Sequence, residues 1–394
     1  MSSPLTSPAT TNGEEPLVKK QKKNPSQIPS LPDDLLVSCL ARVSRLHYAT
    51  LSLVSKSFRS LLASPELYKT RSLLGRTESC LYVCLRFHPE RNQRWFTLSL
   101  KVPTFQNISS LKPNNRTVAS KNKSSCNLLV PIPTSHNPHV ADSLSLVAVG
   151  SNIYNFGGLD RPSSVSILDC QSHTWHEAPS MRVKRYYPHV NVVDGKIYVA
   201  GSCVKPKSSN WMEVFDPKTQ TWEPELATLG KRLTHFINKS AVIEGGVYMF
   251  GDDIGVVYKP REGKWAEIRS REDLQGFEVP FCVIGNVLYC YNWCNGIIWY
   301  DFKIRKWMHI KGLDGLPQFP KYGFVVRLVE YGGKMAILWN KYSSGCKNNK
   351  MIWCAVISLE RRNSKEIWGK VEWVDEVLTV PVSCETVFAL SATV

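Results

Sequence analysis

A mainly β chain, in which a β-propeller follows a small three-helix module, is the fold class that this 394-residue sequence predicts. Three observations carry the expectation. One phrase is written five times, as "VGSNIYNFGG" at 149, "VDGKIYVAGS" at 193, "IEGGVYMFGD" at 243, "IGNVLYCYNW" at 284 and a worn "YGGKMAILWN" at 331. A second echo trails it and ends on Trp175, Trp222, Trp265 and Trp307, spaced 47, 43 and 42 residues apart. Upstream of both, residues 28–75 carry apolar side chains at helical rather than strand spacing.

Taken in chain order, residues 1–27 are rich in Ser, Thr, Pro, Asn and Lys, and read as a disordered basic tail. Its "KKQKK" run, Lys19 to Lys23, has the composition of a nuclear import signal. The helical module is expected over 28–72. Pro32 suits a helix start, since its missing N–H costs nothing there, and Asp33 and Asp34 favour the positive end of the dipole. Leu35, Leu36, Cys39, Leu40 and Val43 share one helical face. Tyr48, Leu51, Val54, Phe58, Leu61 and Leu62 keep the same period in a second helix, and Ser64–Pro65 reads as the cap and first residue of a third. So short a bundle holds more apolar side chains than it can hide, which predicts a covering partner, the alternative being a helical cap packed against the chain's own β domain.

The propeller is expected over 76–394. Each repeated phrase pairs an apolar strand with a tight turn, at Asp194–Gly195, Gly245–Gly246, Gly285–Asn286 and Gly332–Gly333, where positive φ is needed. The second strand runs through Tyr154, Tyr198, Tyr248, Tyr289 and Ala336. The second echo, as in "EVFDPKTQTW", is another strand–turn–strand. Several short strands every 40–50 residues are the signature of propeller blades, with Trp and Tyr filling the contacts between neighbours. A degenerate blade starts at "ESCLYVCLRF" and reaches Trp95; with it the count is six, without it five, and six is preferred. The C-terminal "TVFALSATV" is expected to return and complete that first blade, which avoids a raw sheet edge. Residues 104–137 are polar and basic and read as a loop insertion.

Composition narrows the function. Hydrophobic residues make up 43% of the chain, and no apolar run approaches the ~20 residues of a membrane span. With no secretory h-region at the N-terminus, nucleus or cytoplasm is expected, and the twelve cysteines should be reduced. Cys80 and Cys84, Cys290 and Cys294, and His173 and His176 are tight pairs without a matching second pair, so no metal site is expected. The net charge of +16 is scattered in short clusters rather than one stripe, so an acidic partner is expected before a nucleic acid.

Two stretches are more specific. "LPDDLLVSCLARVSR" followed by "LSLVSKSFRSLL" closely resembles the F-box, the module that docks on a Skp-type adaptor of a cullin–RING ubiquitin ligase. The resemblance puts Leu31, Pro32, Leu35, Leu36, Leu40, Val54 and Phe58 on the motif's positions for core or adaptor contact, and leaves open which face inward. Gly157–Gly158, the "IYxxGG" phrase and the "D-P-x-T-x-x-W" turn at 216–222 resemble kelch repeats. The two together resemble the plant family of F-box/kelch-repeat proteins. That resemblance implies a kelch-type propeller and a non-catalytic substrate-recognition subunit of an SCF-type ligase, without cofactor, whose propeller holds a target protein for ubiquitination.

Target contacts are expected on propeller loops, where Arg and Tyr are favoured at hot spots. Candidates are Arg182, Lys184, Arg185, Tyr186, Lys205, Arg232, His235 and Tyr322, with Arg185 alternatively a kelch-pattern arginine that braces its blade. The rival classes are a kelch-propeller enzyme and a basic nucleic-acid-binding propeller. The "E-x-x-x-D-x-x-x-C" segment of the iron-using kelch proteins does not occur here, nor does G-x-S-x-G or a phosphate loop.

Overall fold

The computed structural model describes residues 31–89, 93–101, 126–133, 145–158, 160–203, 211–223, 237, 239–251, 255–268, 280–292, 294–317, 319, 326–342 and 348–394. Its helical part comprises α1 (Asp33–Ala41), a 3-10 turn (Arg45–His47), α2 (Tyr48–Leu51), α3 (Lys56–Leu62) and α4 (Pro65–Leu73). The expected single helix from Tyr48 to Leu62 is therefore two. Ser55 sits in extended backbone, φ −162°, and its hydroxyl accepts a hydrogen bond from the Phe58 amide at 3.1 Å. That cap starts a new helix and interrupts an otherwise continuous apolar period. Ser64 caps α4 as expected, accepting from the Leu67 amide at 3.3 Å with Pro65 as first helical residue. Leu40, Ala41, Tyr48, Leu62 and Leu67 make the module's small core.

The rest is six four-stranded antiparallel sheets. Blade 1 holds β1 (Ser79–Arg86), β2 (Gln93–Leu100) and β3 (Asn127–Pro131). Blade 2 is β4 (Leu146–Val149), β5 (Asn152–Phe156), β6 (Val165–Asp169) and β7 (Thr174–Ala178). Blade 3 is β8 (His189–Val193), β9 (Lys196–Ala200), β10 (Met212–Asp216) and β11 (Thr221–Trp222). Blade 4 is β12 (Lys239–Ile243), β13 (Gly246–Phe250), β14 (Gly255–Lys259) and β15 (Lys264–Ile268). Blade 5 is β16 (Phe281–Ile284), β17 (Val287–Asn292), β18 (Gly296–Asp301) and β19 (Lys306–His309). Blade 6 is β20 (Arg327–Tyr331), β21 (Lys334–Tyr342), β22 (Asn349–Asn363) and β23 (Glu366–Pro381).

The last strand, β24 (Glu385–Thr393), returns to pair with β1 and supplies the inner strand of blade 1. β4, β8, β12, β16, β20 and β24 then touch in turn around a closed ring. Aromatic pairs join neighbouring blades, among them Trp95–Trp175 at 6.1 Å, Phe156–Trp222 at 6.2 Å, Tyr198–Tyr258 at 6.0 Å and Trp211–Trp265 at 5.8 Å. Such pairs add roughly 0.5–1.5 kcal/mol beyond their buried area, and a single blade has no way to form them.

Two local expectations need correction. The turn of the third repeated phrase is Glu244–Gly245, with φ 49° and 75°, not Gly245–Gly246. Ile243 pairs with Gly246, which is already in the strand, and a Cβ there would lie 2.9 Å from a Val257 methyl. The expected insertion at 104–137 contains β3, whose first residue is held by Asp375: the carboxylate accepts from Asn127 Nδ2 at 2.6 Å. Leu129 of β3 is buried, so the apolar "NLLVP" outweighs its polar surroundings; residues 104–125 and 134–137 lie outside the described residues.

Candidate functional site

In an antiparallel blade, successive turns alternate between two ends, so the propeller has two loop faces. The helical module occupies the end carrying the β4–β5 and β6–β7 turns. Arg45 Nη2 donates to the Cys170 carbonyl at 3.0 Å, and Ser99 Oγ of β2 donates to the Leu46 carbonyl at 2.9 Å. Glu78, just before β1, accepts from Ser44 Oγ at 3.0 Å and from the Arg45 amide at 2.9 Å. The same carboxylate pairs with Arg71 of α4 at 3.3 Å. Arg71 is itself buried, its guanidinium donating to the carbonyls of Val43 at 2.7 Å and Arg76 at 2.6 Å. One carboxylate thus ties the 3-10 turn and α4 of the module to the start of the first propeller strand.

A cavity of about 890 Å³ remains between module and propeller, lined among others by Arg45, Tyr68, Cys80, Ser99, His173 and Lys334. Burial pushes the Tyr68 hydroxyl up to about 12 and pulls the His173 imidazole down to about 4, so both are neutral at pH 7. The Cys80 thiol is likewise pushed up by burial, as are the deeply buried Cys84, Cys170, Cys282 and Cys354. Raised thiols are poor nucleophiles and poor metal ligands. Among the described residues no group of three or more His, Cys, Asp or Glu side chains could hold a metal ion.

The outer surface of the module is apolar where the sequence placed a partner. Leu31, Leu35 and Val54 are 58%, 53% and 61% exposed, and Pro32 is exposed beside them in sequence. Leu36 and Phe58 are half-buried against the module's core. Leu40 is corrected: it is buried in that core and packs inward, so it is not available to a partner. Sequence reasoning left Leu53 off the docking set, yet at 73% it is more exposed than Leu31, Leu35 or Val54. The apolar period ran unbroken through this stretch; it is the turn at residues 52–54, ahead of the Ser55 cap, that leaves Leu53 exposed.

At the opposite end, the segment 179–188 links β7 to β8. Arg185 is corrected as a target contact. It is fully buried, its Nε donating to Glu213 Oε2 at 3.2 Å and its Nη1 to the carbonyls of Gly201 at 2.8 Å and Trp211 at 3.0 Å. Its role is the bracing one. Arg182, Lys184, Tyr186 and Tyr187 on the same segment are exposed. Lys205, Arg232, His235 and Tyr322 lie outside the described residues.

Comparison with known proteins gives the two halves their identity. The F-box domain model matches residues 28–70, and the model described as FKB95, kelch-repeats domain, matches residues 95–378. F-box/kelch-repeat protein At4g39550 of Arabidopsis thaliana is 54% identical over 403 residues, covering 100% of both chains. F-box/kelch-repeat protein At4g39580 of the same plant is 49% identical over 390 residues, covering 97% of this chain and 100% of that one. Putative F-box/kelch-repeat protein At4g39600 is 48% identical over 401 residues, with the same coverage. An F-box-matched helical module latched to a closed six-bladed kelch propeller, alike over its whole length to these relatives, belongs to the F-box/kelch-repeat protein family.

Proposed function

We propose that this chain is the substrate-recognition subunit of an SCF-type cullin–RING ubiquitin ligase. The helical module binds a Skp-type adaptor, and the propeller holds the protein to be ubiquitinated. The observation that carries this reading is the set of exposed apolar side chains on the F-box-matched module: Leu31 and Leu35 around the start of α1, and Leu53 and Val54 before α3. Leaving so many large apolar groups in water is unfavourable by roughly 1.5–3 kcal/mol each relative to burial, and a bound adaptor recovers that.

The chain needs no chemistry of its own in this role. Holding a target lysine near a charged ubiquitin carrier raises its effective concentration, and proximity alone supplies the acceleration. The latch through Glu78, Arg45 and Ser99 supports this by fixing the module on one end of the propeller. The loop segment 179–188 is then presented at the far end.

The test is capture of a purified Skp-type adaptor by the full chain. Wild type is expected to retain the adaptor at equal stoichiometry, and Leu31→Ala with Pro32→Ala to lose it while the propeller's thermal transition stays unchanged. An adaptor that binds the double variant as tightly as wild type would overturn the reading.

A further inference from the structure

The segment Met181–Tyr187 is held more firmly than an exposed loop between blades requires. The Glu213 carboxylate, nearly fully buried, accepts the backbone amides of Arg182 at 2.9 Å and Val183 at 3.4 Å as well as the Arg185 guanidinium. The Arg185 amide donates to the Pro162 carbonyl at 2.7 Å, and the Tyr186 amide to the Ser202 carbonyl at 3.1 Å. On the blade 2 side the Arg185 carbonyl rests against Gly157, where a Cβ would come within 2.4 Å of it. Blades 2 and 3 therefore clamp the backbone between them. The side chains turned outward are Arg182, Lys184, Tyr186 and Tyr187, the two tyrosines 40% and 38% exposed.

The charge on this platform is unbalanced. Glu213 is neutralised internally by Arg185, so Arg182 and Lys184 have no compensating carboxylate on the segment. Arg182 Nη2 donates to the Trp222 carbonyl at 2.9 Å, which orients the guanidinium without cancelling its charge. Nearby, Arg161 is paired with Glu177 at 3.5 Å and adds nothing. An oriented guanidinium and an exposed lysine beside two exposed aromatic rings, on a backbone that loses little entropy on binding, match an acidic extended segment.

From this geometry we infer that the platform formed by Arg182, Lys184, Tyr186 and Tyr187 docks an acidic segment of the target protein. The inference rests on the proposed role of the propeller as target holder, and names the chemistry that the holder selects. Carboxylates take the two cations, and apolar parts of the segment pack on the tyrosine rings. A nucleic-acid strand would share the attraction to the cations and would stack bases on the rings, so it is the competing occupant that the test must separate.

The test is fluorescence anisotropy of the full chain with a labelled peptide of about twelve residues, built from Asp, Glu and Gly with one Leu. Oligothymidylate of similar length serves as a second probe, and adaptor capture by the same preparations is read in parallel. Arg182→Gln with Lys184→Gln is expected to weaken the peptide about tenfold or more, and Tyr186→Ala with Tyr187→Ala about three- to tenfold. Lys303→Gln with Lys306→Gln removes the same charge from exposed positions on the β18–β19 turn and at the start of β19, at the other end of the propeller, and is expected to change binding less than about twofold. Equal weakening by both charge-removing pairs would overturn the inference, as would an undiminished peptide affinity in the platform variants. Oligothymidylate binding that is tighter than the peptide's and lost with the same residues would overturn it in favour of nucleic acid. Adaptor capture unchanged across all variants separates failure here from failure of the ligase reading.

Discussion

Arg185 and Glu213 show how a single residue pair decides what a loop does. Both are buried, and each satisfies backbone groups as well as its partner, so removing one strands the other in a low-dielectric site. Arg185→Ala is expected to lower unfolding stability by about 3–5 kcal/mol in denaturant titration; a loss under about 1 kcal/mol would show the pair to be slack. His173 makes a second residue-scale case. Its imidazole, beside the Tyr82 hydroxyl at 3.3 Å, is held from an ordinary 6.5 down to about 4, chiefly by burial and secondarily by Arg45. The unfolded chain then binds a proton that the folded one refuses. Stability from this group is complete above about pH 6.5 and is lost as pH falls toward about 4. His173→Gln is expected to flatten that part of the stability curve, and an unchanged slope would contradict the burial argument.

At the scale of elements, what was legible in the sequence follows from periodicity and turn chemistry. Strand-pair turns such as Asp194–Gly195 and Gly285–Asn286 were readable because positive φ restricts the residues that fit. The one-residue slip at Glu244 arose because two consecutive glycines make both placements possible, and only the packing of Gly246 against Val257 decides. The break at Ser55 and the strand within 104–137 were missed because a cap and a five-residue strand are weak local signals, settled by tertiary contacts such as Asp375 with Asn127. Leu53 is turned outward by the same break, whereas Leu40 faces inward because α1 packs on α4 in the module's core. At this scale the expected outcome is that Leu35→Asp with Val54→Asp abolishes adaptor binding, since both side chains are exposed and neither belongs to the buried core of the module. Circular dichroism of the variant should match wild type; loss of helical signal would mean the two residues hold the module together instead.

Over the whole molecule, closure and coupling dominate. β24 pairs with β1 along most of its length and completes the ring of inner strands, so the end of the chain holds its first blade. Removing residues 385–394 is expected to expose the β1 edge and the core against Ala389 and Leu390, giving aggregation in place of a cooperative transition. A soluble truncated chain with an intact thermal transition would show that the ring does not need this strand. The preferred count of six blades was readable from the five repeated phrases together with the degenerate first blade at "ESCLYVCLRF". The attachment of the module was not, because it rests on contacts between residues 33 to 125 positions apart, such as Arg45 with Glu78 and with Cys170, that leave no local pattern. The target-facing side chains were the least legible part: loop residues carry no period, and of those singled out Arg185 proved internal.

Amide hydrogen exchange of the full chain, with and without a Skp-type adaptor, tests the central claim most directly. Protection is expected to rise across residues 33–41 and 53–62 and to stay unchanged in segment 179–188. Protection appearing on the propeller strands instead, or nowhere, would contradict the account.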